Sequence, residues 1–264
     1  MAIRLVVSDV DGTLLAPDHS ITPRVRTAVA RATEQGIKVA LASARPPQGL
    51  VWLLAELGIG PPFVSFNGAL VMGASGQIVE RHIMVPGTAQ QVLALAQQYH
   101  LTPNVYVGQQ WYVPWMDELV AEEARAVHCQ PTAVNDLEKL LAPGVEKLLL
   151  MGDPEQVVRC QEAAQARLGS QVAVARSYPT YLEVTSPGVG KGTGLRALAR
   201  CLGIPLPEVM AVGDGQNDVD MITIAGLGVA MGHASEEVRA AARFVTASND
   251  QDGLALAIEH WALG

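Results

Sequence analysis

Over the first part of the chain, short apolar runs typical of buried strands alternate with segments whose apolar residues recur at helical spacing. The β-branched run Ile3–Val7 ends at a polar Ser-Asp pair, which predicts a short strand buried on both faces. Residues 22–35 then carry apolar side chains at helical spacing, with Thr22 as the N-cap and proline at the first helical position. Residues 37–43 repeat the buried-strand pattern. Strand, helix and strand in this order predict an α/β unit.

The same rhythm continues to residue 83 and returns after residue 187. Further predicted elements are a helix over 47–57, a strand over 63–66, a hairpin over 69–80, helices over 191–202, 217–225, 235–242 and from 253, and strands over 209–214, 226–231 and 243–247. We therefore predict a Rossmann-like, doubly wound parallel sheet built from residues 1–83 and 188–264.

Residues 84–187 follow a different pattern. Their predicted helices lie at 86–99, 117–128 and 154–168, and their strands at 104–107, 111–113, 146–152, 171–176 and 181–186. Neighbouring short strands favour an antiparallel α+β arrangement. The sequence therefore predicts an α+β domain, residues 84–187, inserted into the α/β core.

Composition narrows the class of protein. The 264 residues carry 18 Lys+Arg against 26 Asp+Glu, a formal net charge of −8, which argues against a nucleic-acid or membrane-surface partner. With 49% hydrophobic and 17% charged residues the chain can bury a core. No apolar run is long enough to span a membrane, and three widely separated cysteines favour a reducing compartment. We expect a cytoplasmic protein.

Two carboxylates stand where the first strand ends. Asp9 and Asp11 occur in the sequence DVDGTL, where Gly12 permits a tight backbone and Thr13 can hydrogen-bond locally. A carboxylate on such a turn can be a nucleophile, a metal ligand or a proton-transfer group, and an acidic surface turn is the alternative. A calcium-binding EF-hand is excluded because a strand precedes the turn and the later oxygen ligands are absent.

Three other motifs are expected, like Asp9 and Asp11, at the carboxyl ends of separate parallel strands. Ser43 ends the second strand and is followed by Arg45, so a hydroxyl and backbone N–H groups could hold phosphate oxygens, or could simply form a turn. Lys191 begins a helix, where its charge opposes the helix dipole unless an anion is present. In GDGQND, the carboxylates of Asp214 and Asp218 could bind Mg²⁺ or cap a helix.

Together these residues resemble the haloacid dehalogenase superfamily of phosphotransferases. The match consists of DxDGTL at Asp9–Leu14, the hydroxyl of Ser43, Lys191, and GDxxND at Gly213–Asp218. The chain is also similar to the Cof-type subgroup, through SFNGA at residues 65–69, GLGVAMG at 226–232 and DGLALAI at 252–258. In that subgroup a cap domain lies between the second and third motifs, where the 148 positions from Ser43 to Lys191 leave room for it.

The resemblance implies a mechanism and a set of site residues. Asp9 would attack phosphorus and form an aspartyl-phosphate, while Asp11 would protonate the leaving oxygen and then activate water. Mg²⁺ would be held by Asp9, the Asp11 carbonyl and Asp214. The remaining implied site residues are Ser43, Ala44, Arg45, Asn67, Lys191 and Asn217 at the phosphate or substrate, with Thr13 and Asp218 supporting them. The cap would close over this site and read the leaving group.

Two residues depart from the family pattern. Ala44 stands where a glycine is usual, which changes the local backbone, and His233 replaces an asparagine, which could alter substrate contacts or be structural. The implied substrate is a small phosphorylated metabolite, a sugar or polyol phosphate. A phosphosugar mutase and a phosphatase for flavin or pyridoxal phosphate are the alternatives.

Overall fold

Two compact units make up the chain in the computed structural model, which describes residues 2–264. The first unit contains the chain up to Ala44 together with Val51–Glu80 and Gly190–Gly264. The second contains Arg45–Leu50 and Arg81–Val189. The ends of the long segment Arg81–Val189 lie within three residues of the ends predicted for the inserted domain, 84 and 187. The short segment Arg45–Leu50 belongs to the second unit, which the sequence did not predict.

The secondary structure consists of strands and helices that mostly follow the predicted pattern. The strands are β1 (Leu5–Ser8), β2 (Lys38–Leu41), β3 (Phe63–Ser65), β4 (Leu70–Met72), β5 (Ile78–Arg81), β6 (Thr102–Val107), β7 (Gln110–Val113), β8 (Thr132–Ala133), β9 (Lys147–Met151), β10 (Ala173–Tyr178), β11 (Tyr181–Thr185), β12 (Val209–Gly213), β13 (Leu227–Ala230) and β14 (Phe244–Val245). The helices are α1 (Pro23–Glu34), α2 (Gln48–Leu57), α3 (Pro86–Gln98), α4 (Glu118–Ala126), α5 (Pro154–Leu168), α6 (Lys191–Leu202), α7 (Val219–Ile224), α8 (Glu236–Ala241) and α9 (Gly253–Ala257).

A five-stranded parallel sheet organises the first unit. Its order is β14-β13-β12-β1-β2, so the first strand of the chain pairs with β12 on one side and β2 on the other. All four residues of β1 are buried, as a strand covered on both faces requires. The predicted α/β fold is confirmed. Because β1, β2 and β12 are parallel neighbours, the segments that follow them emerge at one edge of the sheet.

The strand predicted over 63–66 does not continue this sheet. Its residues form β3, which pairs antiparallel with β4 in a separate three-stranded sheet, β3-β4-β5. A parallel bridge between Ala42 and Val64, together with hydrogen bonds of Ser43 to Val64 and Asn67, links it to the chain beyond β2. An apolar run predicts burial but carries no information on strand direction, so the sequence could not distinguish these pairings.

A six-stranded sheet organises the second unit, in the order β10-β11-β9-β6-β7-β8. The pairs are antiparallel except for β7 and β8, and β8 is a two-residue strand that the sequence did not predict. One face packs on an apolar core that includes Val105, Leu148 and Val184. The opposite face carries polar residues, among them Lys147 and Glu183, which are 3% and 5% exposed.

None of the helices within residues 2–264 combines the length and the apolar character needed to cross a bilayer.

Candidate active site

The turn after β1 brings Asp9 and Thr13 against the turn after β12. The Asp9 N–H donates to the Val212 carbonyl at 2.9 Å, which continues the pairing of the two strands, and Asp9 is 5% exposed. Thr13 Oγ1 donates to Asp214 Oδ1 at 3.0 Å. Gly12 has φ +87°, and a Cβ there would collide with the Asp214 carboxylate. The glycine of DVDGTL therefore serves both the backbone conformation and the close approach of the second acidic turn.

The ammonium of Lys191 lies between two carboxylates. Its Nζ donates to Asp9 Oδ1 at 2.5 Å and to Asp218 Oδ1 at 2.6 Å, and the side chain is 1% exposed. The lysine is the first residue of α6, where a cation opposes the helix dipole. Carboxylates of the chain itself supply the compensating negative charge.

The sequence GDGQND forms a turn closed by its last carboxylate. Asp218 Oδ2 accepts from the N–H groups of Asp214 at 3.0 Å and Gly215 at 2.8 Å, while Oδ1 accepts from Lys191. Asp218 is completely buried, and a Cβ at Gly213 would overlap its side chain. Asp218 thus fixes the backbone around Asp214 and holds the lysine at the same time.

A second chain of contacts connects the ends of β2 and β3 to this turn. The Ser43 carbonyl accepts from the Asn67 N–H at 2.9 Å, and Asn217 Nδ2 donates to Asn67 Oδ1 at 3.0 Å. Asn67 has φ +53°, and a Cβ at the following Gly68 would collide with the Gly190 carbonyl, next to Lys191. The SFNGA segment is therefore packed against the start of α6. The structure brings Ser43, Asn67 and Asn217 into one connected group.

Clustered carboxylates determine the electrostatics of the site. Burial and the neighbouring carboxylate of Asp218 raise the pKa of Asp9 well above its usual value, Lys191 opposes this rise, and Asp214 and Asp11 add to it. Burial and Asp218 also raise the pKa of Asp214. Burial by itself would lower the pKa of Lys191, but the carboxylates of Asp218 and Asp9 raise it. Lys191 is therefore a permanent cation within an excess of negative charge.

The same cluster suits a divalent metal ion. Among the residues that the structure describes, carboxylate oxygens of Asp9, Asp214 and Asp218 lie within 4.8 Å of one another. Hard oxygen ligands of this type are preferred by Mg²⁺. Both oxygens of Asp218 already accept hydrogen bonds, so Asp9 and Asp214 are the carboxylates best placed to bind a cation, which would reduce the repulsion that raises their pKa values.

The predicted site residues do not all occupy equivalent positions. Asp9, Ser43 and Asp214 follow parallel strands, as predicted, but the prediction that Lys191 also follows a parallel strand is wrong: it begins α6, and the preceding strand β11 lies in the mainly antiparallel sheet of the second unit. Ala44 ends a segment of the first unit and Arg45, 5% exposed, begins a segment of the second.

Two further residues near the cluster lie outside the set of site residues that the family resemblance implies. His233 Nε2 lies 3.4 Å from Asp214 Oδ2, so the histidine that replaces the family's usual asparagine stands beside an acidic site residue. Asp220 Oδ2 accepts from the Gly192 N–H at 2.8 Å. No sequence signal marked Asp220, because an acidic residue in a short helix is ordinary.

Comparison with known proteins identifies the family. Residues 6–258 match the family model described as haloacid dehalogenase-like hydrolase. The chain belongs to this family. It is 30% identical over 260 residues to a putative phosphatase of Haemophilus influenzae, an alignment that covers 98% of each protein.

Solved structures agree with this assignment over nearly the whole chain. A haloacid dehalogenase-like hydrolase from Bacteroides thetaiotaomicron has 34% identity and a TM-score of 0.91, covering 97% of this chain and 98% of its own. A structure described as a HAD subclass IIB sugar phosphatase has 25% identity and a TM-score of 0.86, covering 99% and 100%. The chain is thus a haloacid dehalogenase-like phosphatase of the Cof type.

Proposed function

We propose that this phosphatase hydrolyses a sugar or polyol phosphate in a Mg²⁺-dependent reaction that passes through an aspartyl-phosphate on Asp9. The observation that carries the proposal is the contact of one buried ammonium, Lys191, with both Asp9 and Asp218. A nucleophilic carboxylate must be ionised, and an adjacent fixed cation favours the ionised form. The sugar phosphatase of subclass IIB supports the choice of substrate class.

The proposed reaction has two displacements at phosphorus. In the first, an oxygen of Asp9 bonds to phosphorus, the bond from phosphorus to the ester oxygen breaks, and Asp11 gives a proton to the leaving alcohol. In the second, Asp11 takes a proton from water as that water attacks phosphorus. The bond between phosphorus and Asp9 then breaks, which releases inorganic phosphate and restores the Asp9 carboxylate and the protonated form of Asp11.

Other residues of the chain are proposed to hold the phosphoryl group. Lys191 supplies positive charge to its oxygens, and Ser43 and Asn67 supply polar groups from the segments that follow β2 and β3. Asp9, Asp214 and the carbonyl of Asp11 are proposed to hold Mg²⁺. When bound, the ion would offset negative charge between nucleophile and phosphate.

A phosphate-release screen tests this proposal. The panel contains sugar phosphates, polyol phosphates, pyridoxal phosphate and a flavin phosphate, each with Mg²⁺ and with a chelator. Release is expected from sugar or polyol phosphates with Mg²⁺, with little activity in Asp9→Asn and unchanged activity in Asp136→Asn, an exposed acid paired with Lys139 in the second unit.

Several results would contradict parts of the proposal. Equal phosphate release with the chelator would show that the reaction does not need a metal ion. Equal release by Asp9→Asn would show that Asp9 is not the nucleophile. Preference for pyridoxal or flavin phosphate would overturn the substrate class. Movement of the phosphoryl group to another position of the sugar, without free phosphate, would indicate a mutase.

A further inference from the structure

The backbone on both sides of Lys191 is packed against one carboxylate. Gly190 precedes the lysine and Gly192 follows it. A Cβ at Gly190 would collide with Asp220 Oδ2, and a Cβ at Gly192 would lie 2.9 Å from its Cγ. A side chain at either position would therefore have to displace the Asp220 carboxylate. The carboxylate of Asp220 therefore lies against the short segment that carries the lysine.

A hydrogen bond fixes this contact. The Gly192 N–H is among the first N–H groups of α6, which lack acceptors within the helix, and it donates to Asp220 Oδ2 at 2.8 Å. The negative charge also lies at the positive end of the helix dipole, where it offsets the unfavourable position of the lysine. Asp220 itself is exposed to solvent, so its contact with α6 depends on this hydrogen bond and not on burial.

The same short element holds the lysine at its other end. Asp218 immediately precedes α7 and accepts from the Lys191 ammonium, whereas Asp220 lies in the first turn of α7 and holds the backbone beside it. The Met221 N–H donates to Asp220 Oδ1 at 2.8 Å, which orients the carboxylate. Lys191 is therefore fixed at both its backbone and its ammonium by residues two positions apart.

We propose that Asp220 is a positioning residue, which sets the backbone of Lys191 so that its ammonium reaches Asp9 and Asp218 together. The ammonium has two short contacts, at 2.5 and 2.6 Å, and a backbone shift of a few tenths of an ångström would lengthen at least one of them. The inference rests on the proposed function, in which Lys191 binds phosphoryl oxygens. It extends that function to a residue that touches neither substrate nor metal.

Steady-state kinetics of substituted enzymes test the proposal. Asp220→Ala is expected to lower kcat/KM about tenfold, the effect of about 1.4 kcal/mol in the transition state. Asp220→Asn keeps an acceptor oxygen and should restore most of the loss. The matched control is Asp153→Ala, which removes a carboxylate that accepts from two N–H groups at the start of α5, in the second unit. It should leave kcat/KM unchanged.

A double substitution separates positioning from general stability. If Asp220 acts through the lysine, Asp220→Ala should cost little more in a Lys191→Arg enzyme, because the geometry it maintains is already lost. The same tenfold loss in both backgrounds, or a change below twofold in the wild-type background, would overturn the proposal. Should Asp220→Ala fail to fold, Asp220→Leu, which is similar in size to aspartate but offers no acceptor to the Gly192 N–H, provides the same comparison.

Binding of inorganic phosphate, measured by calorimetry, gives a readout without turnover. Asp220→Ala should weaken phosphate binding, and Asp153→Ala should not. A wild-type protein that released phosphate from no substrate would overturn the proposed function, while the phosphate titrations would still decide the role of Asp220. Equal phosphate affinity in wild type and Asp220→Ala would count against the positioning role even if the enzyme is an active phosphatase.

Discussion

Removing the Asp218 carboxylate tests how much of the site's rigidity depends on one buried group. Asp218 accepts three hydrogen bonds, from Lys191 Nζ at 2.6 Å and from the N–H groups of Asp214 and Gly215 at 3.0 and 2.8 Å. In Asp218→Ala all three donors lose this acceptor. Asp153→Ala is the control, because Asp153 also accepts hydrogen bonds from two backbone N–H groups. Unlike Asp218, Asp153 is exposed, and these two hydrogen bonds are to backbone groups and not to a lysine.

The expected loss of stability follows from these contacts. Each N–H left without an acceptor costs about 1 kcal/mol at the lower end of the range for buried donors. Breaking a buried ion pair costs about 3–5 kcal/mol when a charge is left alone, but Lys191 keeps Asp9 as a partner. The removal of Asp218 also relieves repulsion, since its charge raises the pKa of Asp9. We therefore expect a net loss of about 3 kcal/mol for Asp218→Ala, against about 1 kcal/mol for Asp153→Ala.

Urea unfolding followed by circular dichroism gives both free energies under one set of conditions. The difference between the two variants measures the contribution of burial and of the lysine, since the two backbone hydrogen bonds are common to both. Equal losses in the two variants would refute the reasoning, because Asp218 would then act as an ordinary helix-start acceptor. A gain in stability for Asp218→Ala would mean that carboxylate repulsion outweighs its hydrogen bonds.

Three further predictions concern other parts of the chain. Burial raises the pKa of Glu123 above its usual 4.5, and the opposing effects of Lys147 and of a hydrogen bond from Tyr181 are smaller. The folded state therefore binds this proton more tightly than the unfolded state, and the free energy of unfolding should fall as pH rises above about 4.5. In urea unfolding at pH 4 and pH 7, Glu123→Gln should show a smaller fall between the two pH values than the wild type. The Glu183 carboxylate is 5% exposed and lies 3.4 Å from the ammonium of Lys147. Lys147→Met removes this cation and should lower the free energy of unfolding in urea by about 3–5 kcal/mol. Adding Glu183→Gln to Lys147→Met should restore part of the loss, and no restoration would argue against the ion pair. Gly68 has φ +101°, and Gly68→Ala places a Cβ against the Gly190 carbonyl, so it should reduce both stability and phosphate release. Gly76 has φ +78° but faces open space, so Gly76→Ala should cost about 1 kcal/mol of stability and keep the activity. Equal effects of the two substitutions would refute the close contact at Gly68.

The fold could be predicted from the sequence where local signals were strong. Helix α5 was predicted with the bounds that the structure has, because Asp153 provides an N-cap, proline begins the helix and apolar residues follow at helical spacing. Strand β1 was recognised from a continuous apolar run. The separate pairing of β3 could not be predicted, since strand direction depends on which partner is reached in three dimensions. The two residues of β8 are too few to produce a pattern.

The candidate site shows the same division. The glycines of DVDGTL and GDGQND can be read from the sequence, but the reason for two of them is structural. Gly12 lies against the Asp214 carboxylate of the other motif, and Gly213 lies against the Asp218 carboxylate at the other end of its own motif. The contact between Asp220 and Gly192 joins residues 28 positions apart and has no signature in the sequence. The assignment of Arg45 to the second unit was equally hidden, because the chain changes units between adjacent residues.

The charge of the site connects the overall composition to the proposed metal. Asp9, Asp214 and Asp218 are opposed by one lysine, so the cluster carries two excess negative charges when all three acids are ionised. Burial raises the pKa values of Asp9 and Asp214, which means that the folded protein resists this state unless a cation or a proton is taken up. Protons and a divalent cation should therefore compete for the same carboxylates, and metal affinity should fall as pH is lowered. The net charge of −8 argues against polyanionic partners, yet a bound divalent ion together with Lys191 would give the site the positive charge that a single phosphate monoester requires.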